Sequence, residues 1–313
     1  MAAAIEVRDL VKTYRSTRAV DEVSFDVAEG EVIAILGPNG AGKSTTIEIL
    51  EGQRERTAGH VRVLGVDPAD GGRAFRDRIG IVLQSSGIDP ELTVREVVDM
   101  YGAAYSKGRP SSEVIELVDL VDKADDRIVS LSGGQQRRVD LALGLIGDPE
   151  LIFLDEPTTG FDPAARRRSW ALVENLTSLG RTVVLTTHYL DEAEHLADRV
   201  IVLAGGRVVA EGTPAELRAD TDRQTRIAFT LPSVAEPLSG LLEQLGGEVV
   251  GRGHGIEIIT GTPTADLAHI TGWAMARGIE LDGLTVESPD LEDVYMRLVG
   301  EADGVDDGDV ASE

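Results

Sequence analysis

A glycine-rich stretch that ends in lysine and serine is the strongest chemical signal in this 313-residue sequence. It reads GPNGAGKS at residues 37–44 and fits the pattern G-x-x-x-x-G-K-[S/T]. Glycines let the backbone bend so that N–H groups point at phosphate oxygens, the lysine can reach the β- and γ-phosphates, and the serine can ligate Mg²⁺. The residues expected to hold a nucleotide here are Gly37, Pro38, Asn39, Gly40, Ala41, Gly42, Lys43, Ser44 and Thr45.

An acidic pair follows an apolar run later in the chain. Residues 151–155 read LIFLD, the pattern of a buried strand that ends in a carboxylate, and Glu156 comes next. Asp155 can hold Mg²⁺ directly or through water, and Glu156 can orient or deprotonate an attacking water. Alone, such a pair is also compatible with a solvated strand end. Beside a lysine-bearing phosphate loop it indicates hydrolysis of a nucleotide, with Lys43 stabilising the developing charge.

A third motif, LSGGQ at residues 131–135, lies between these two. A Ser-Gly-Gly turn that opens a helix is a second N–H-rich anion site, although it is also compatible with a plain helix cap. Together the three motifs resemble the ATP-binding cassette (ABC) family, over most of residues 4–215. The resemblance implies ATP and Mg²⁺ as cofactors and a head-to-tail homodimer. The residues that would face the γ-phosphate held by the other copy are Ser132, Gly133, Gly134 and Gln135.

The same resemblance assigns catalytic roles to two more side chains. Gln84 ends the apolar stretch IGIVLQ, where family members place a glutamine that contacts Mg²⁺ and the lytic water. His188 follows the apolar stretch TVVLTT, where they place a histidine that contacts the γ-phosphate and tethers the glutamate, here Glu156. The expected catalytic set is therefore Glu156, His188, Lys43 and Gln84, with Ser44, Gln84 and Asp155 around the metal.

Two further nucleotide contacts are implied by position. Asp162 lies in the segment TGFD, which resembles the loop that crosses the dimer interface, with Phe161 where the family usually has leucine. Tyr14 stands where the family places an aromatic residue that stacks on adenine. Its alternative is an ordinary strand aromatic, because stacking does not follow from sequence.

Strand and helix patterns alternate after residue 30, which is typical of a parallel sheet with crossover helices. Strands are predicted at 5–14, 20–27, 31–36, 61–64, 79–83, 151–155, 182–187 and 199–203, and helices at 43–50, 91–105, 111–121, 133–147, 163–179 and 189–197. This is an α/β chain. The resemblance adds the architecture of a P-loop NTPase cassette: a mixed sheet core, an antiparallel β subdomain and a helical subdomain, expected over residues 1–218.

The pattern changes after a turn-rich stretch at 205–224. Residues 225–300 follow the order βαββαβ and predict a small α+β domain of ferredoxin-like type, with a last short helix at 290–298. The acidic residues 301–313 indicate a solvated, disordered tail. The domain is either a marker of subtype or an appendage that stabilises or dimerises the chain, and these readings are compatible.

Composition narrows the possible partners. The net charge of −25 weighs against a nucleic-acid binder, which needs a basic surface to neutralise phosphates. The chain has no cysteine, so disulfides and thiolate metal sites are excluded. Neither a signal peptide nor a run of about 18 apolar residues is expected. A transport role would therefore need a separate membrane subunit.

Two segments sharpen the subtype. Residues 55–68, ERTAGHVRVLGVDP, and 288–300, SPDLEDVYMRLVG, are similar to the daunorubicin-resistance type of ATP-binding subunit. That type energises an exporter through an ABC-2-type integral membrane permease at the cytoplasmic face of the membrane. The alternative is a soluble ABC ATPase that is not coupled to transport. A pair with a related subunit also stays open beside the homodimer.

Overall fold

The chain divides after Pro214 into two units. The structure, a computed structural model, describes residues 3–82, 87–159, 161, 163–178, 180–220, 225–231, 245–250, 255–287 and 295. The division falls before residue 218, where the sequence placed the end of the first domain.

Three layers of regular structure build the first unit. Its strands are β1 (Ala3–Tyr14), β2 (Thr17–Ala28), β3 (Val32–Leu36), β4 (Ala58–Val63), β5 (Ile79–Val82), β6 (Leu151–Asp155), β7 (Thr182–Thr187), β8 (Arg199–Ala204) and β9 (Arg207–Gly212). Its helices are α1 (Lys43–Leu50), α2 (Gly72–Arg76), α3 (Val94–Gly102), α4 (Ser111–Leu117), α5 (Gly133–Leu145), α6 (Pro163–Ser178) and α7 (Leu190–Leu196). Helix α8 (Pro214–Asp220) begins at the division.

The central sheet has the strand order β5-β6-β7-β3-β8-β9. The first five strands are parallel, and β9 closes the edge antiparallel to β8. Strands β3, β6 and β7 are almost wholly buried, as expected for continuous apolar runs covered on both faces. Because parallel strands point the same way, the segments that follow β3, β6 and β7 meet at one edge of the sheet.

A separate antiparallel sheet has the order β2-β1-β4. Its apolar side chains share one core with those of β3, α1 and β6, including Phe25, Ile33, Ile47 and Phe153. The mixed core sheet and the antiparallel sheet confirm the predicted α/β class.

Helices α3, α4 and α5 pack on one another beside β5. Capping boxes begin two of them: Thr93 with Glu96 starts α3, and Ser132 with Gln135 starts α5. Helix α5 lies directly against β5, because a Cβ on Gly80 would come within 2.1 Å of the Gly144 carbonyl oxygen. The helical segment formed by α3, α4 and α5 thus packs against the core sheet with backbone atoms in close contact.

The second unit contains β10 (Thr225–Thr230), β11 (Glu248–Val249), β12 (Gly255–Thr260), α9 (Pro263–Arg277) and β13 (Asp282–Glu287). All pairings in its sheet are antiparallel, with the order β11-β12-β10-β13. This is the order of a split βαβ fold of ferredoxin-like type. Ile227, Phe229, Ile258 and Trp273 are the centre of its core. The first helix of the predicted βαββαβ order, at 232–245, and the last helix, predicted at 290–298, lie almost entirely outside the described residues.

The structure differs from the sequence-based elements in a few places. The turn-rich stretch at 205–224 contains β9 and α8, and the prediction missed β9 because this half-exposed edge strand has no continuous apolar run. The helix predicted at 111–121 ends at Leu117, and a 3-10 turn follows at Val121–Lys123. Among the described helices, none has the length and apolar character needed to cross a bilayer.

Candidate functional site

The loop at 37–44 connects β3 to α1 and fits between two neighbouring backbones. Gly42 has φ 97°, and a Cβ there would come within 2.4 Å of the Ala19 carbonyl oxygen. A Cβ on Gly37 would come equally close to the carbonyl oxygen of Leu203. Only glycine satisfies both the left-handed conformation and the space at residue 42. The loop is therefore held in a fixed bend over the end of the sheet.

Lys43 lies within this bend and is 5% exposed. Its Nζ donates to the carbonyl oxygens of Gly37 at 2.6 Å and Pro38 at 3.1 Å. Burial lowers the pKa of Lys43, while the negative charges of Glu156 and Asp155 act in the opposite direction. The loop lysine and the two acids therefore share one electrostatic environment.

The acidic pair stands at the end of β6, braced by the neighbouring strand. Oγ1 of Thr186, in β7, donates to Oδ1 of Asp155 at 2.6 Å. The backbone N–H of Glu156 is bonded to the same threonine, with its carbonyl oxygen at 3.2 Å and Oγ1 at 3.0 Å. Glu156 has φ 44°, a left-handed conformation that is costly for a residue with a side chain. Such strain is typical of residues held in place for function.

Glu156 lies beside His188, the neighbour that the family resemblance implies for it. Nδ1 of His188 is 3.4 Å from Oε1 of Glu156. The other carboxylate oxygen, Oε2, accepts a hydrogen bond from Oγ1 of Thr159 at 3.0 Å. The side chains of Glu156 and His188 are 19% and 37% exposed, so a water molecule can reach both.

The donor set suits Mg²⁺, a hard cation that binds a few protein oxygens and completes its shell with phosphate and water. Asp155 offers a carboxylate at the sheet edge, and Ser44 offers an exposed hydroxyl in the first turn of α1. Within the described ranges no cluster of three or more histidine, cysteine, aspartate and glutamate side chains could hold a metal by itself. Gln84, the third predicted ligand, lies outside the described residues.

The LSGGQ segment forms the start of α5. Ser132 is the N-cap: its N–H donates to Oε1 of Gln135 at 2.9 Å, and its Oγ accepts from the N–H of Gln135 at 3.4 Å. A Cβ on Gly133 or Gly134 would meet nothing within 4 Å. Packing within the chain therefore does not require glycine at either position. A cavity of about 210 Å³ beside the segment is lined by Ser132, Gly134, Gln135, Arg137, Arg138, Leu141, Phe161 and Ser169, and by no residue of the loop at 37–44.

Arg137, which the sequence reasoning missed, ties this helix to the acidic strand. It is 6% exposed, and its guanidinium donates to the carbonyl oxygens of Pro157 and Asp155, each at 3.1 Å. Burial lowers the pKa of Arg137, and the nearby charge of Asp140 opposes the shift. Helical spacing could have identified it, because Arg137 lies one turn before the buried Leu141.

A second residue that the sequence reasoning missed, the acid Glu51, directly follows α1. It is 5% exposed, and burial raises its pKa to about 8, with further contributions from the charges of Asp155 and Glu48. Glu51 lines a groove of about 580 Å³ between the core sheet and the helical segment. The other lining residues include Arg73, Phe75, Ile81, Tyr101, Ala104, Tyr105 and Leu143.

Tyr14 ends β1 and is 38% exposed, so its ring is open to a ligand. Two cations approach the ring: Nζ of Lys12 lies 5.1 Å from its centroid and the Arg54 guanidinium 5.3 Å. Asp162, the predicted interface residue, lies outside the described residues.

Family comparison agrees with this geometry. The chain matches the ABC transporter family over residues 20–159 and the C-terminal domain family of ABC transporter domain-containing proteins over residues 225–289. A Nod factor export ATP-binding protein I from Neorhizobium galegae is 43% identical, over 95% of this chain and 85% of the relative. A daunorubicin resistance ATP-binding protein from Streptomyces coeruleorubidus is 37% identical, over 95% of this chain and 96% of the relative.

Solved structures lead to the same fold. An ATP-binding cassette dimer in a post-hydrolysis state, bound to ADP and Pi, is 29% identical with a TM-score of 0.60. The similarity covers 67% of this chain and 98% of that one.

Proposed function

The chain belongs to the ABC transporter family as an ATP-hydrolysing, ATP-binding subunit, and from that premise we propose that it powers an exporter through a separate membrane permease. Relatives named for Nod factor export and daunorubicin resistance support export of a drug-like or lipid-like compound. The permease is of the ABC-2 type, and the subunit works at the cytoplasmic face of the membrane.

The observation that carries the proposal is the meeting of three groups at the ends of β3, β6 and β7. Lys43 is buried in the loop bend, Asp155 and Glu156 act on its charge, and His188 lies 3.4 Å from Glu156. Bound ATP supplies the phosphoryl group; Ser44 and Asp155 would hold Mg²⁺, which would neutralise phosphate charge there. Lys43 stabilises the phosphate oxygens, Glu156 accepts a proton from the attacking water, and His188 holds Glu156 in position.

A second copy completes the site. Gly133 and Gly134 are open on the side where a Cβ would point, and the N-terminus of α5 with Ser132 offers N–H groups to an anion. We propose that these residues approach the γ-phosphate held by the loop of the other copy in a head-to-tail homodimer. The solved cassette dimer supports this arrangement.

The groove beside Glu51 is the proposed contact with the permease. It lies between the core sheet and the helical segment, and Tyr101, Ala104 and Tyr105 line it. These three residues belong to the region after Gln84, roughly 85–105, through which the family resemblance implies that motion passes into the permease. Its lining mixes aromatic and aliphatic side chains with a few charges, as expected for a surface that buries a short segment of a partner.

The hydrolytic assignment is tested by Glu156→Gln. The variant should bind ATP with near-normal affinity and hydrolyse it at least about 100-fold more slowly, because the amide cannot accept the proton. The exposed Glu116 in α4 gives a matched control, Glu116→Gln, with normal turnover. Near-normal turnover by the Glu156 variant would contradict the assignment. Lys43→Ala should lose ATP binding itself, and tight binding by that variant would contradict the phosphate role of the loop.

Coupling to a permease is tested at the groove. Ala104 is exposed and lines the groove, so Ala104→Trp should fill part of it and abolish co-purification with the permease while ATP binding persists. Ala103 is also exposed but does not line the groove, which makes Ala103→Trp the matched control. Equal capture of the permease by both variants would refute the groove as the contact.

A further inference from the structure

A carboxylate with no assigned role lies close to the hydrolytic pair. Glu192 is in α7, four residues after His188, and its exposure is 0%. Burial raises the pKa of Glu192, because the ionised carboxylate would be desolvated in this position. A buried ionisable group of this kind costs stability unless its contacts compensate, so its contacts indicate what it does.

Two hydrogen bonds of the Glu192 carboxylate use the same oxygen, and the hydroxyl of Thr187 also acts on it, lowering its pKa against the effect of burial. Oε1 accepts from Oγ1 of Thr158 at 2.8 Å and from Nε1 of Trp170, in α6, at 3.2 Å. The second oxygen, Oε2, has no hydrogen-bond partner in the part of the chain that the structure describes. Thr158 is itself fully buried, so its hydroxyl has no access to water and depends on Glu192 as acceptor.

Thr158 lies two residues after the strained Glu156. The backbone before this bend is bonded to Thr186 of β7, and the side chain of Glu156 is bonded to Thr159. The Thr158–Glu192 bond holds the same segment two residues after Glu156. A left-handed glutamate persists only when its surroundings hold it there, and this bond adds to those made by Thr186, Thr159 and Arg137.

The same helix also continues from His188. Glu192 therefore connects the segment that carries Glu156 with the element that follows its histidine neighbour. Tyr189 stacks on His188 at 4.1 Å between ring centroids, and Arg166 of α6 lies 4.1 Å from the Tyr189 ring. Helices α6 and α7 thus support one side of the Glu156–His188 pair.

We propose that Glu192 is a positioning residue for ATP hydrolysis: through Thr158 it holds the Glu156 carboxylate at its working distance from His188. The inference rests on the proposed hydrolytic role of Glu156. It assigns Glu192 no contact with nucleotide or water. Its effect is on the rate of the chemical step, because a displacement of about 1 Å in a reacting group is enough to cost a factor of about 100.

The test compares Glu192→Ala, Glu192→Gln and Thr158→Val in the full-length protein. Glu192→Ala and Thr158→Val should each lower kcat by about 10- to 100-fold, with KM for ATP within about twofold of the original value. Glu192→Gln keeps an oxygen acceptor and should restore kcat to within about threefold. The double variant Thr158→Val/Glu192→Ala should lose no more than either single variant, because both remove one interaction.

The contact between Glu192 and Trp170 has its own spectroscopic readout. In a Trp273→Phe background, the fluorescence of Trp170 reports the contact directly, and it should change with Glu192→Ala but hardly with Glu192→Gln. Thr158→Val is nearly isosteric, so it keeps the inference testable if the alanine variant does not fold. Glu194→Ala, on the same helix and partly exposed, is the matched control and should keep normal kcat.

A normal kcat in Thr158→Val, or equal losses in the alanine and glutamine variants, would overturn the inference. The result with Glu156→Gln distinguishes this failure from failure of the proposed function. If Glu156→Gln abolishes turnover while Thr158→Val does not affect it, the hydrolytic role stands and only the positioning role is wrong.

Discussion

Replacing Gly134 with alanine should make the protein more stable and less active. The residue lies in the first turn of α5, and the added Cβ would meet nothing within 4 Å. Alanine in a helix is favoured over glycine by about 0.5–1 kcal/mol, because the unfolded chain loses less freedom. For a unit that runs to Pro214, this corresponds to a rise in Tm of roughly 1–4 °C.

The activity should move in the opposite direction. In the proposed dimer the nucleotide of the second copy approaches this face, and a methyl group there has no space. Overpacking of a close contact typically costs about 1–3 kcal/mol, which corresponds to about a 5- to 150-fold loss in the population of the closed dimer. The ATPase rate at saturating ATP should fall by that order.

The assay pairs calorimetric unfolding with ATPase rates measured over a range of protein concentrations. Gly144→Ala, in the same helix, serves as the contrast, because its Cβ would come within 2.5 Å of Cγ2 of the buried Val82. That variant should be destabilised by about 1–3 kcal/mol. A less stable Gly134→Ala protein would show that the position is packed within the chain. A more stable protein with an unchanged ATPase rate would show that no partner surface approaches residue 134.

Three further predictions concern stability. Because the pKa of Glu51 is raised to about 8 from about 4.5, the folded protein should lose up to about 4 kcal/mol of stability as the pH rises through that window, and Glu51→Gln should remove this loss. Urea unfolding of both proteins at about pH 5 and about pH 9 measures the difference. Parallel pH profiles of the two proteins would contradict the prediction. Arg137→Met should lower the free energy of unfolding by about 3 kcal/mol, because it leaves carbonyl oxygens inside the protein without a donor. Arg138 forms an ion pair with Asp119 at the surface, so Arg138→Met should cost under about 1 kcal/mol. Equal urea midpoints for the two variants would refute this. Gly42→Ala should cost at least about 2 kcal/mol more stability than Gly40→Ala. Both glycines have positive φ, but only at Gly42 would the added Cβ meet a backbone oxygen. Thermal unfolding measures the two losses, and equal losses would be evidence against the clash.

Local patterns were sufficient to predict the parts of the site that are continuous in sequence. The continuous apolar run before Gly37 indicated a buried strand, and the loop motif after it led directly into α1. Strand β6 followed from the same reasoning, and its terminal acids came with it. The neighbourhood of His188 and Glu156 was implied by the family resemblance, and the parallel strands that end at one edge of the sheet account for it.

Tertiary contacts decide the rest, and no local pattern contains them. Glu51, directly after α1, and Glu192, in α7, are charged residues, and such residues are usually exposed. Each is buried because another element covers it, which only the assembled fold shows. The left-handed backbone of Glu156 is equally invisible in sequence, since most positive φ values belong to glycine.

The close contact between α5 and β5 has a consequence for how this sequence can drift over evolutionary time. At Gly80 the space is closed by a backbone carbonyl oxygen, and no substitution elsewhere can remove a backbone atom. At Gly144 the nearest obstacle is the side chain of Val82, and a smaller residue there would reopen the space. Gly80 should therefore be invariant among descendants that keep this packing, whereas Gly144 can be replaced once position 82 has changed. Two glycines that face each other in one contact thus differ in whether a compensating mutation exists.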